Sequence, residues 1–279
     1  MPVLNDGDLP ARQACDGDVF AGSLSRKLQK LMLRMKGEHM SEDGRSVDYR
    51  ALRKSEVFKE YQEKTLLLRT VDIRSLQEND RLAFYINVYN ALGLHGLAIQ
   101  DKPLNSVLEV DSFWSSTCYN IGGHVFSLDD LEHGILRGNR PHPATGRVCF
   151  QLNDPRCQFS VHVVDPRIHF ALVCGAKSCP PIQVYSPDNL DRGLQAAARS
   201  FCEQEIDIDL PSKMVTFSKI FQWYGSDFGD SPREILLTCL PYLSTDKQHA
   251  AKQVIDDPEM TVNYKEYDWS LNEKFDGKL

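Results

Sequence analysis

One stretch constrains this chain more than any other. RLAFYINVYNALGLHGLAIQ (residues 81–100) is apolar on nearly every side of a helix. A helix with no polar face must be enclosed, so the remaining chain has to be built around it. Its longest apolar run, Leu82 to Ile99, is interrupted by Asn87, Asn90, His95 and small residues. That marks a buried helix, capped by Asp80, and not a membrane span. With 279 residues, the chain is long enough to bury a core without disulfide staples.

The flanking segments read as elements that could enclose it. Residues 1–17 are expected to be a loose polar arm. Phe20, Leu24, Leu28, Leu31, Met32 and Met35 form a helical stripe over Asp18 to Met35. Tyr49 to Leu68 is amphipathic, as two helices broken near Lys54–Ser55. After Pro103, Cys118 to Phe126 reads as a hairpin turning at Gly122–Gly123. Ser127-Leu-Asp-Asp130 is a helix start, a hydroxyl cap with an acid three residues on, and that helix stops near Gly138. VCFQL (148–152) is a short strand within a long polar loop, and Ile168 to Val173 a buried strand entering the turn CGAKSCPP. Ser186-Pro187 opens a helix to about Cys202. IDIDL and MVTFS form a second hairpin, KIFQWYGSDFG a short aromatic helix, and Ser231-Pro232 a further helix start. The expected fold is α+β: a helical N-terminal half packed on a small mixed or antiparallel sheet, in one integrated domain over 18–279. Within it, 18–79 is a helical lead-in, 80–229 the core, and 230–279 holds helices and a strand.

Charge narrows the function. Lys and Arg number 32 against 39 Asp and Glu, a net charge of −7, which argues against a general nucleic-acid or anionic-membrane binder. The N-terminus MPVLNDGDLPARQACDGD lacks the basic and apolar regions of a signal peptide, so a cytoplasmic location with reduced thiols is expected. The eight cysteines (Cys15, Cys118, Cys149, Cys157, Cys174, Cys179, Cys202 and Cys239) form no repeated CxxC. HExxH, EF-hand, GxGxxG and GxxxxGK[ST] patterns do not occur. No metal and no cofactor are therefore expected.

The residues that could carry chemistry gather near Ile168–Val173. Cys174 and Cys179 flank a tight turn, with Arg167, His169 and Lys177 close in sequence. A thiol becomes a nucleophile where cations or N–H groups stabilise its thiolate. As a strand, this segment puts Arg167 and His169 on one face. His133 could serve as base to a thiol, with His169 and His95 competing. Glu132, about 100° from His133 around an α-helix, is not its expected partner. Asn87 and Asn90 are neighbours on the central helix. Tying down loops is the favoured use of these amides over forming the wall of a site.

AFYINVYNALGLHGL (83–97), YNIGGHVFSLDDLEHGILR (119–137), DPRIHFALVCGAKSCPPI (165–182) and FSKIFQWYGSDFG (217–229) resemble, in this order, successive blocks of the domain of unknown function 547 family. The resemblance names no reaction. It puts Asn87, Asn90, His95, His133, Arg167, His169, Cys174 and Cys179 inside the matched blocks. The glutaredoxin-like and DEP-type modules joined to some members are not evident in this chain.

The resulting expectation is a cysteine-dependent hydrolase or acyl-transfer enzyme acting on an amide, isopeptide or thioester-like bond. Cys179 is the nucleophile and His133 the base, with Cys174 and His169 as the alternatives. Asn87, Asn90 or His95 would orient the site, and Arg167 and Lys177 would hold an anionic group of a small-molecule or peptide-like substrate. Two alternatives stay open: a non-catalytic binding or scaffolding module with structural cysteines, and a Cys/His redox or zinc site.

Overall fold

In the computed structural model, which describes residues 3–8 and 21–274, helices surround the predicted central one. Helix α1 (Ala21–His39) and the pair α2 (Tyr49–Lys54) and α3 (Glu56–Thr65) form the lead-in. The α2–α3 break falls at Ser55, whose side chain accepts from the Phe58 N–H and so caps α3. Helix α4 (Glu78–Ala98) is buried from Ala83 to its end. Its N-cap is Gln77, and Asp80 lies in the first turn, where a negative charge favours the helix dipole. None of the described helices is long and apolar enough to cross a membrane.

After the single turn α5 (Phe113–Ser116), strands β1 (Cys118–Ile121) and β2 (His124–Ser127) make the expected hairpin. Gly122 and Gly123 sit at φ +58° and +83°, the left-handed pair that a two-residue hairpin turn requires. The C-terminal half adds α6 (Leu190–Glu205), β3 (Ile206–Asp209), β4 (Met214–Phe217), α7 (Lys219–Trp223), α8 (Gly225–Phe228), α9 (Pro232–Cys239), α10 (Thr245–Val254) and β5 (Thr261–Tyr264). Strands β3 and β4 pair antiparallel, and β5 joins β4 in parallel. The architecture is mostly helical with small antiparallel and mixed sheets, an α+β fold. One apolar cluster surrounds α4, and a second, including Phe201, Phe221 and Leu236, lies among α6 to α10 and the three-stranded sheet.

Three local expectations are corrected. Ile168–Val173 is not a strand: Pro166–Phe170 is a 3₁₀ turn, started by the Asp165 side chain accepting from the Arg167 N–H. Asn90 then takes the place of a neighbouring strand, donating to the Ala171 carbonyl at 2.9 Å and accepting from the Val173 N–H at 2.9 Å. VCFQL is not a strand either, because Asn139 brackets the backbone of Phe150 in the same way. Residues 3–8 of the expected loose arm are docked. Buried Asn5 brackets Asn120, and the Leu4 N–H donates to the Cys118 carbonyl. The rest of that arm, 1–2 and 9–17, lies outside the described residues. A side-chain amide satisfies one donor and one acceptor of the main chain, so a segment can be held extended without a partner strand.

Candidate functional site

A cavity of about 560 Å³ opens where the two apolar clusters meet, walled by the segment before β1, the turn after β2, the Cys174–Cys179 turn, α7 and the C-terminal tail. The Ser127 cap forms as expected, with the Asp130 N–H donating to Ser127 Oγ and the Ser127 N–H to Asp130 Oδ2. The helix that follows, however, is a π-helix over Asp130–Leu136. Its wide turn shows in the Arg137 N–H donating to the Glu132 carbonyl, five residues back. A side chain at Gly134 would collide with the Phe150 ring, a Cβ there lying 2.4 Å from Cζ. The Gly134 and Ile135 carbonyls accept from the Ser160 hydroxyl at 2.6 Å and the Val161 N–H at 3.0 Å. The wide turn buries Glu132 and His133 together and places both on the cavity wall, which α-helical spacing did not anticipate.

The C-terminal tail forms the sulfur side. The Ser178 hydroxyl accepts from the Asp268 N–H, the Lys177 N–H donates to the Ser270 carbonyl, and the Asn272 N–H donates to that of Gly175. Stitched this way, the tail lays Tyr267 against Cys179. The Cys179 sulfur is 3.4 Å from the Tyr267 hydroxyl, 3.4 Å from the Cys174 N–H and 3.3 Å from the Cys174 sulfur. The Cys174 thiol at that distance pulls the Cys179 thiol down to about 7, against the opposing effect of burial and with help from Tyr267. Cys174 is held well above the ordinary thiol range, first because its own proton is engaged by Cys179 and next by burial.

His169 lies on another part of the wall. Its Nε2 is 2.8 Å from Asp227 Oδ2, and its ring stacks on Tyr224 with centroids 4.1 Å apart. The Asp227 side chain is fully buried, yet its carboxyl is held far below the usual carboxylate range. Burial opposes ionisation there, but hydrogen bonds from His169, Arg137 and Arg140 overcome it. With Asp227 ionised, His169 donates through Nε2 and keeps Nδ1 as its basic atom. Glu132 accepts from the Tyr89 hydroxyl at 2.8 Å. Burial raises its carboxyl, and His133, Tyr224, His169 and Tyr89 together bring it below the usual value.

Asp129, His133 and His142 form the remaining wall. One ligating atom of each lies within 4.8 Å of the others, the group among the described residues whose donors could meet on one ion. Burial, with Glu132 and Asp130, raises Asp129 to about 7. Burial pushes His133 down to about 4, with Glu132 opposing and His142 and Arg137 assisting.

Of the nine residues singled out from the sequence, Cys174, Cys179, His133 and His169 line this cavity. Asn87 brackets the Tyr185 backbone as Asn90 brackets Ala171 and Val173, so both amides hold loops. His95 is enclosed in the core between Gln62 and Tyr119. Arg167 is not on the cavity wall: its guanidinium is engaged by Asp165 and Asp191. Lys177 is exposed and likewise off the wall. The expected cationic pocket from these two residues is therefore not formed. Asp129, His142, Asp227 and Tyr267 were not foreseen as site residues. Asp129 and Asp227 lie in quoted blocks, Asp129 beside the Ser127–Asp130 cap and Asp227 in YGSDFG, where an acid amid aromatic residues was an available signal.

Residues 73–202 match the family described as "Protein of unknown function, DUF547". No curated protein and no solved structure matches the chain.

Proposed function

With residues 73–202 standing as a DUF547 family domain, we propose that this protein is a cysteine-dependent hydrolase or acyl-transfer enzyme. Cys179 is the nucleophile, and His169, oriented by Asp227, is the base. One observation carries the reading. The Cys179 sulfur receives three polar neighbours inside a cavity that also presents His169. A thiolate held near neutrality is the form that attacks an acyl carbon. His133 is the weaker choice for base, since burial lowers it to about 4 and Arg137 occupies its Nδ1 at 3.1 Å.

His169 Nδ1 takes the Cys179 proton, the sulfur–carbon bond forms, and the carbon–leaving-group bond breaks as His169 returns that proton to the leaving atom. Water or an acceptor then attacks the thioester, its proton passing to His169, and the carbon–sulfur bond breaks with Cys179 reprotonated. The cavity wall is largely aromatic, with Trp114, Trp223, Tyr224, Tyr267 and Trp269, which suits an apolar acyl group. Incubation with a medium-chain acyl thioester, followed by intact-mass analysis, tests this. One acyl adduct on Cys179 is expected, absent in Cys179→Ala. Turnover by Cys179→Ala equal to that of the native chain would overturn it.

A second reading rests on the 3.3 Å approach of the Cys174 and Cys179 sulfurs. As a redox pair they would close to a bond of about 2.05 Å, passing two electrons and two protons to a small disulfide oxidant, which leaves as two thiols. Rapid loss of two thiols on exposure to oxidised glutathione, without any acyl adduct, favours this reading over the first.

A further inference from the structure

We propose that His133 and His142, with Asp129 beside them, form a cradle of hydrogen-bond donors for the carbonyl oxygen of an apolar acyl ligand, and that this cluster is not a metal site. The proposal deepens the thiol-enzyme reading and rests on it for its place in a reaction, though not for binding.

Hydrogen bonding fixes where the imidazole protons sit. Arg137 Nη1 lies 3.1 Å from His133 Nδ1, and a guanidinium can only donate, so that nitrogen accepts. The Ala144 N–H donates to His142 Nδ1 at 3.0 Å. Burial lowers both rings, which keeps them neutral near pH 7. Each proton is then on Nε2. Those two Nε2 atoms lie 3.9 and 3.8 Å from Asp129 Oδ1, beyond hydrogen-bond reach. A ring nitrogen of each histidine lies within 4.8 Å of one on the other, and the ring centroids are 4.3 Å apart, a spacing at which both rings can reach one shared oxygen at about 2.9 Å.

A metal requires the opposite arrangement. It takes the lone pair of one ring nitrogen while the other nitrogen donates its N–H to a carboxylate, carbonyl or water. Here both outer nitrogens accept, one of them from a cation. Asp129 fits the oxygen reading too. Burial raises it, with Glu132 and Asp130 adding to that, while His133 and His142 face it, with Arg137 behind His133 and the Cys149 thiol on its main-chain oxygen. A carboxyl protonated near neutral pH is a third donor and does not repel a developing oxyanion. The cavity that the cradle faces also has an apolar lining, including Leu108, Trp114 and Trp269.

All three tryptophans of the chain line this cavity, so their fluorescence reports its occupancy. The test titrates Cys179→Ser protein with 4-phenylbutan-2-one and with butylbenzene, which has a similar shape and no oxygen. The ketone should bind about tenfold more tightly, the worth of a well-placed pair of hydrogen bonds. His142→Phe should erase that preference, and His142→Gln, which restores an N–H donor, should recover part of it. His142 lies on a partly exposed loop, and circular dichroism checks that each variant folds. Equal affinity for the two probes, or a preference that survives in His142→Phe, would overturn the cradle. So would stoichiometric Zn²⁺ binding to native protein that is lost in Asp129→Ala. A ketone preference without an acyl adduct on Cys179 in native protein removes the thiol reading and leaves the cradle. An adduct without the preference does the reverse.

Discussion

Two pairs of neighbouring cysteines occupy this fold, and their surroundings set them apart. Cys202 in α6 and Cys239 at the end of α9 are fully buried in the C-terminal apolar cluster. There the Cys239 thiol is pushed well above its ordinary range, first by its contact with Cys202 and then by burial. Cys174 and Cys179 also touch, but the Cys179 sulfur adds a backbone N–H and a tyrosine hydroxyl and faces a cavity. Its thiol falls to about 7. At Cys179 the Cys174 thiol leads the stabilisation of the thiolate, and the Tyr267 hydroxyl and backbone N–H groups add to it against the desolvation that raises the thiol.

The contrast is broken or sharpened by four measurements. Cys179→Ala should lower acyl-thioester turnover by roughly 10³-fold or more, whereas Cys239→Ala should leave it unchanged. Equal losses in the two would erase the distinction between the pairs. Asp227→Asn leaves Arg137 buried without its carboxylate and frees His169 to rotate. Turnover should fall roughly 10²–10⁴-fold, and urea unfolding should report a loss of about 3–5 kcal/mol. Iodoacetamide labelling should modify Cys179 with a rate that rises through pH 7, following its thiolate, and should spare Cys202 and Cys239 until the chain unfolds. Sulfur modified at equal rates in both pairs would contradict the burial difference. The smallest effect belongs to Cys202→Ala, which leaves a small void among Phe201 and Leu236 and should cost about 1 kcal/mol in thermal unfolding without altering turnover.

Much of this fold was legible as pattern. The all-apolar helix, the Ser55 break, the Gly122–Gly123 hairpin and the Ser127–Asp130 cap depend on residues within a few positions of one another, and each formed. The misreadings share a cause. Ile168–Val173 and VCFQL have the composition of strands, but Asn90 and Asn139, distant or out of pattern, supply the hydrogen bonds that a neighbouring strand would have made. The π-helix escaped as well, because caps and apolar spacing over seven residues do not distinguish it from an α-helix.

The candidate site divides along the same line. Cys174 and Cys179 stood out because they flank one turn, and His169 because it lies just before it. Tyr267 and Asp227, which bear on Cys179 and His169, are 88 and 58 positions away. By itself, the sequence determined the buried helix, the α+β class and the local caps, because those follow from periodicity and near-neighbour hydrogen bonding. Tertiary structure alone decided which thiol is acidified, which nitrogen of each histidine carries its proton and which arginines are already neutralised. Those properties depend on burial and on donors within about 3 Å, and chain order does not encode such proximity.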